Sequence, residues 1–166
     1  MSWATSASTV SQRMLPGQEG DVTSVAFSAD GRYMASTAWS DHAFVRVWNT
    51  ATGRLVHVLQ GHTATPLTTA FSPDGRCLVS AGSSSTPDGT LSGGPGEVKL
   101  WDLTTGQEIG ALSGQTHPVE VVAFSPDGKR VACEGAELRT GRGDPGVHQC
   151  GEHEWGSTED QERVGL

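Results

Sequence analysis

The chain has 166 residues, with 11 Lys and Arg against 19 Asp and Glu, a formal net charge of -8 and a hydrophobic fraction of 35%. That length suits one domain with a core. The acidic balance disfavours nucleic acid and anionic membrane surfaces as partners, and the apolar runs fall far short of the roughly 20 residues of a spanning helix. Three cysteines, Cys77, Cys133 and Cys150, are too few and too odd for a disulfide framework, and point to reduced thiols in a cytoplasmic setting.

In chain order, MSWATSASTVSQRML carries neither a charged n-region nor an apolar h-region, so it does not read as a signal peptide. Residues 1–8 read as disordered. Thr9–Leu15 reads as an outer strand of a preceding unit, because LPG before Phe27 is spaced like LQG before Phe71 and LSG before Phe124. Then VTSVAFSADG (Val22–Gly31) opens a pattern that returns as PLTTAFSPDG (Pro66–Gly75) and PVEVVAFSPDG (Pro118–Gly128). Each is a short β-branched run, the mark of a buried strand. Each ends in Ser, Pro or Ala, Asp and Gly, the preferences of a type I turn. Asp30, Asp74 and Asp127 are therefore turn residues rather than an acid–base pair.

Second strands follow at Arg32–Thr37, Arg76–Gly82 and Lys129–Gly135. FVRVWNTATGRLVHVLQGH (Phe44–His62) and EVKLWDLTTGQEIGALSGQ (Glu97–Gln115) each read as a strand ending in Trp48 or Trp101, a turn, and a fourth strand. Trp48 precedes Phe71 by the same 23 positions that separate Trp101 from Phe124. Between Phe71 and Trp101 the unit is longer, and SSSTPDGTLSGGPG (Ser83–Gly96) accounts for the excess as an exposed loop. No stretch has a helical period. Four short antiparallel strands in about 44 residues describe a propeller blade.

These residues resemble the WD-repeat β-propeller family, in wording closest to its bacterial members. The carriers are the three FS-DG runs, Trp48-Asn49, Trp101-Asp102 and Gly61-His62, over about Leu15–Gly135. The resemblance implies an all-β fold. It predicts a partial propeller with blades at about 21–60 and 65–113 and a half-blade at 118–135. It also implies bracing of each blade by His, Ser or Thr, Asp and Trp. His62, Ser80 and Trp101 match in the second blade, followed by Asp102; the position of the Asp falls at Pro95, so that brace is expected to be lost. In the first blade Trp48 matches, Asp41 lies near the expected place but one residue out, and Gly17-Gln18 stands where Gly-His is expected. In the third, Gly114-Gln115 does.

After Gly135 the pattern stops, and residues 136–166 read as a disordered acidic, Gly-rich tail. A native tail and an out-of-frame one both fit. His148, Cys150 and His153, with Cys133, have zinc-ligand chemistry but match no standard finger spacing. Arg142-Gly143-Asp144 in a Gly-rich stretch arises by chance. No catalytic, metal or cofactor site is assigned. The family implies a non-catalytic protein–protein interaction scaffold, expected here as a fragment of a longer regulatory protein. Self-association would complete a ring. The alternatives are a truncated product without independent function and a remnant of a propeller enzyme. Partner-binding candidates are Trp39, Asp41, His42, Thr63, Pro87 and Asp88.

Overall fold

The computed structural model describes residues 15, 17–18, 20–40, 42–85, 91–112, 115–135 and 148–154; for 84–85, 91–94, 134–135 and 148–154 it describes the backbone alone. The described residues form strands and turns without a helix, so no helix is long and apolar enough to cross a membrane.

Three antiparallel sheets follow one another. The first contains β1 (Asp21–Phe27), β2 (Tyr33–Trp39), β3 (Val45–Asn49) and β4 (Leu55–Leu59) in sequential order. The second contains β5 (Thr65–Phe71), β6 (Cys77–Ser85), β7 (Leu91–Asp102) and β8 (Gln107–Leu112), also in order. The third contains β9 (Val119–Phe124), β10 (Arg130–Gly135) and β11 (His148–Glu154). The sheets are not closed into a ring. They stack through their innermost strands, with β1 and β2 against β5, and β5 and β6 against β9. This is a partial β-propeller.

The same turn is built three times. Gly31 N–H donates to the Ser28 carbonyl at 2.9 Å, Gly75 to Ser72 at 2.9 Å and Gly128 to Ser125 at 2.9 Å. The three glycines have φ of 69°, 70° and 73°, a region that costs a side-chain-bearing residue strain. The Ser hydroxyl donates to the Asp carboxylate at 2.7 Å (Ser28–Asp30), 2.6 Å (Ser72–Asp74) and 2.5 Å (Ser125–Asp127). The backbone N–H two residues past each Asp, at Arg32, Arg76 and Lys129, donates to the same carboxylate. These hydrogen bonds hold all three carboxyls below their ordinary range: the backbone donor leads at Asp30, the serine hydroxyl at Asp74 and Asp127.

Apolar side chains between the sheets make two cores. Ala35, Val45, Val47 and Leu59 of the first sheet meet Phe71, Leu78 and Trp101 of the second. Val79, Ala81, Val98, Leu100 and Leu112 of the second meet Val119, Val122, Val131 and Cys133 of the third. Polar bonds tie the seams: Thr23 Oγ1 donates to the Pro66 carbonyl at 3.1 Å, and His57 Nε2 lies 2.9 Å from the Leu103 carbonyl.

Two sequence expectations are corrected. Ser83–Gly96 is not an exposed loop throughout. The ladder of β6 and β7 continues through Ser83↔Gly96 and Ser85↔Leu91, and Ser83 is fully buried. Gly96 N–H donates to the His117 carbonyl at 2.9 Å. Small polar residues carry no period-two signal, yet their backbone bonds extend a hairpin as well as any others. The second correction is in the acidic tail. Residues 148–154 form β11, paired with β10 through Arg130↔Glu154, Val131↔His153, Cys133↔Cys150 and Gly135↔His148. The free edge of β10 offers unpaired backbone groups that a strand of any composition satisfies. Residues 1–14, 136–147 and 155–166, with the readings made for them, lie outside the described residues.

Candidate functional site

The strand order sorts the connections between two rims. The FS-DG turns and the turns after Trp48 and Trp101 lie at one rim. The β2–β3 and β6–β7 connections and the links between sheets lie at the other. Trp39, half-buried at the end of β2, and His42 and Thr63, both exposed, belong to this second rim. Asp41, Pro87 and Asp88 fall outside the described residues.

Directly beneath this rim the second sheet carries a connected polar network. Trp101 Nε1–H donates to Ser80 Oγ at 2.7 Å, and Ser80 Oγ lies 2.7 Å from His62 Nε2. His62 Nδ1 lies 3.0 Å from Glu97 Oε2. Thr63 donates to the same carboxylate twice, through its N–H at 2.9 Å to Oε2 and through its hydroxyl to Oε1. Burial pushes His62 below its ordinary value, against the pull of Glu97, and so favours the neutral ring. Burial also opposes ionisation of Glu97, but the donors from Thr63 and His62 outweigh it and hold the carboxyl below its ordinary range. A neutral ring with Nδ1–H on the carboxylate leaves Nε2 as acceptor. Ser80 therefore accepts from Trp101 and donates to His62. Every polar atom in the chain from Trp101 to Glu97 then has a partner, which is what keeps such a network from costing stability when buried.

The acid of this network was missed from the sequence. It is Glu97, not a residue at the position of Pro95, so the brace is retained rather than lost. The extended hairpin brings Glu97 onto the regular part of β7, opposite Gly82. Gly82 lacks a side chain for a physical reason: a Cβ there would stand 2.2 Å from the Thr65 carbonyl oxygen.

The first sheet repeats the network with other residues. Trp48 Nε1–H donates to Ser36 Oγ at 3.0 Å, and Ser36 Oγ donates to Gln18 Oε1 at 2.8 Å. Gln18 thus stands for His62. Phe44, four residues before Trp48, stands for Glu97, four before Trp101. Phe44 stacks with His42, with ring centroids 5.3 Å apart, and the Arg46 guanidinium lies 5.8 Å from its ring centroid. In the third sheet Gln115 Nε2 lies 3.7 Å from Cys133 Sγ. A spacing shared by the three units could have found these residues: Ser36, Ser80 and Cys133 each lie nine positions after Phe27, Phe71 and Phe124.

Asp102 accepts from Thr104 N–H at 2.6 Å and Asn49 from Thr52 N–H at 2.9 Å. They close the turns after the two tryptophans, at the rim opposite Trp39. His148, Cys150 and His153 are on β11, with Cys150 in register with Cys133. Among the described residues no group of three or more His, Cys, Asp or Glu is placed to hold a metal ion.

A model of the family described as WD domain, G-beta repeat, matches residues 9–49 and 53–92. The chain belongs to the WD-repeat family. It is 30% identical over 129 residues to WD repeat-containing protein 90 of Homo sapiens, covering 75% of this chain and 7% of the relative. It is 30% identical over 122 residues to nuclear distribution protein PAC1 of Coccidioides posadasii, covering 69% and 23%. It is 32% identical over 125 residues to apoptotic protease-activating factor 1 of Homo sapiens, covering 69% and 9%. The chain therefore spans less than a quarter of the length of these relatives.

Proposed function

We propose that this chain is a non-catalytic protein-binding scaffold that presents Trp39, His42 and their neighbours at the connection-bearing rim. One observation carries the reading: each four-stranded sheet ties its strands beneath this rim with a side-chain network, Trp48–Ser36–Gln18 under the connection that bears Trp39 and His42, and Trp101–Ser80–His62–Glu97 in the second sheet. Thr63 serves this network through Glu97, so its part in binding is to hold the rim in shape. The WD-repeat relatives have names as different as nuclear distribution and protease activation, which fits a shared scaffold rather than a shared partner. The carboxylates of Asp30, Asp74 and Asp127 at the other rim are engaged within their own turns. Cys77 and Cys133 are not joined in a disulfide, which fits a reducing, cytoplasmic setting. Copies of the chain also associate with one another to complete a ring.

The rim reading is tested by photo-crosslinking. A crosslinking residue at position 42 should capture a discrete protein that Trp39→Ala releases. The same residue at position 54, on the opposite rim, should not capture it. Equal capture from both positions would sink the rim assignment.

A further inference from the structure

Each internal seam of the stack has the same lock. Phe71, on β5, packs into the core that contains Ala35, with Ala26 against it. Ala26 and Ala35 are register partners on β1 and β2. Phe124, on β9, packs against the core that contains Val79, beside Ala70. Ala70 and Val79 are register partners on β5 and β6. At both internal seams a phenylalanine at the end of the innermost strand thus packs in one core with a register pair of small side chains on the sheet before it. The pair on the third sheet is Ala123 and Ala132, again register partners, and both are exposed. Val121 beside them is 52% exposed. On the first sheet Phe27 stands in the position of Phe71 and Phe124, yet it is 63% exposed, with Val25 49% exposed on the same face. Among the described residues, Phe27 is thus a ring without a seat and the Ala123–Ala132 pair a seat without a ring.

We infer that a second copy of this chain supplies the missing half of each lock: Phe27 of one copy seats on Ala123 and Ala132 of the other, and the reverse. This rests on the self-association reading above and names its surfaces. The contact repeats a seam the fold already builds twice, so its shape and chemistry are those of an interface known to close. Burying the exposed Phe27 and Val25 side chains removes apolar surface from water, which favours the contact. Two copies bring six sheets, within the four to eight of closed propellers. The contact is heterologous, so closure at two copies is what prevents growth into a filament.

The test is the mass of the full chain by light scattering or sedimentation equilibrium. Twice the 17.4 kDa of one chain is expected. Phe27→Asp and Ala132→Lys, both at exposed positions, should each reduce it to one chain while keeping a cooperative melt. Mixing the two variants should restore a two-chain species, since one lock is intact and the other pairs Asp with Lys. Should either charged variant fail to fold, Phe27→Ala should still raise the dissociation constant at least tenfold. A monomeric wild-type chain, variants with unchanged mass, or a mixture that stays monomeric would overturn the inference. An assembled chain whose mass neither charged variant changes refutes the surfaces named here alone; a monomeric wild-type chain refutes self-association with them and leaves the rim reading standing; an assembled chain with no rim partner refutes the rim reading alone.

Discussion

Ser80→Ala isolates what the network contributes. Ser80 is fully buried, and its oxygen joins Trp101 Nε1–H to His62 Nε2, each at 2.7 Å. Alanine fills nearly the same space, so the cavity term is small. What remains are two buried polar groups deprived of a partner, at about 1–3 kcal/mol each. A loss of about 2–6 kcal/mol is expected, a large part of the stability of an ordinary domain. Ser36→Ala is the internal comparison. Gln18, its acceptor, is only half-buried and can turn to water, so the expected loss is about 1–2 kcal/mol. Urea denaturation followed by tryptophan fluorescence gives the shift in midpoint at constant slope. In a Trp101→Phe background the indole N–H is gone, and Ser80→Ala should cost about 1–2 kcal/mol less than in the wild type. A loss below about 0.5 kcal/mol, or additivity in the cycle, would show that the network does not act as a unit.

Three further outcomes are expected. Acidification should destabilise the fold in two windows. His62 is held below its ordinary 6.5, so the unfolded chain gains a proton first and stability falls as pH drops below that value. Glu97 is held below 4.5, so its contribution is present above that value and lost beneath it. Midpoints of wild type and His62→Gln, measured from pH 7.5 to 4, should differ in the upper window; parallel curves would contradict the assignment. Gln18→His and Phe44→Glu together should rebuild the second sheet's network in the first and raise the thermal midpoint by more than the sum of the single changes; simple additivity would refute the equivalence. Ala29→Pro gives the first turn the proline that Pro73 and Pro126 give the others, and should stabilise by about 0.5 kcal/mol through the unfolded chain. A loss in the thermal melt would mean that this turn differs from its two copies.

The sequence by itself determined the blade. The FS-DG turn is local chemistry: a serine, an aspartate and a glycine close it with their own backbone, so three copies in the chain become three turns in the fold. Strand limits near Trp48 and Trp101 follow for the same reason, from side chains that alternate and turns that cap themselves. His62, Ser80 and Trp101 could be aligned in advance because their spacing is fixed by short strands.

Only the tertiary structure decided what depends on pairing between distant segments. Glu97 joins the network because β6 and β7 keep their register past Ser83, and a run of Ser, Thr, Gly and Pro announces no such register. Strand β11 exists as the answer to an open edge on β10, a demand made by another strand's backbone rather than by its own residues. Phe27 and Phe71 look alike in sequence, at the end of the same strand before the same turn. One is 63% exposed and the other 9%, because burial is decided by the sheet that lies across from a residue, and no local pattern encodes that neighbour.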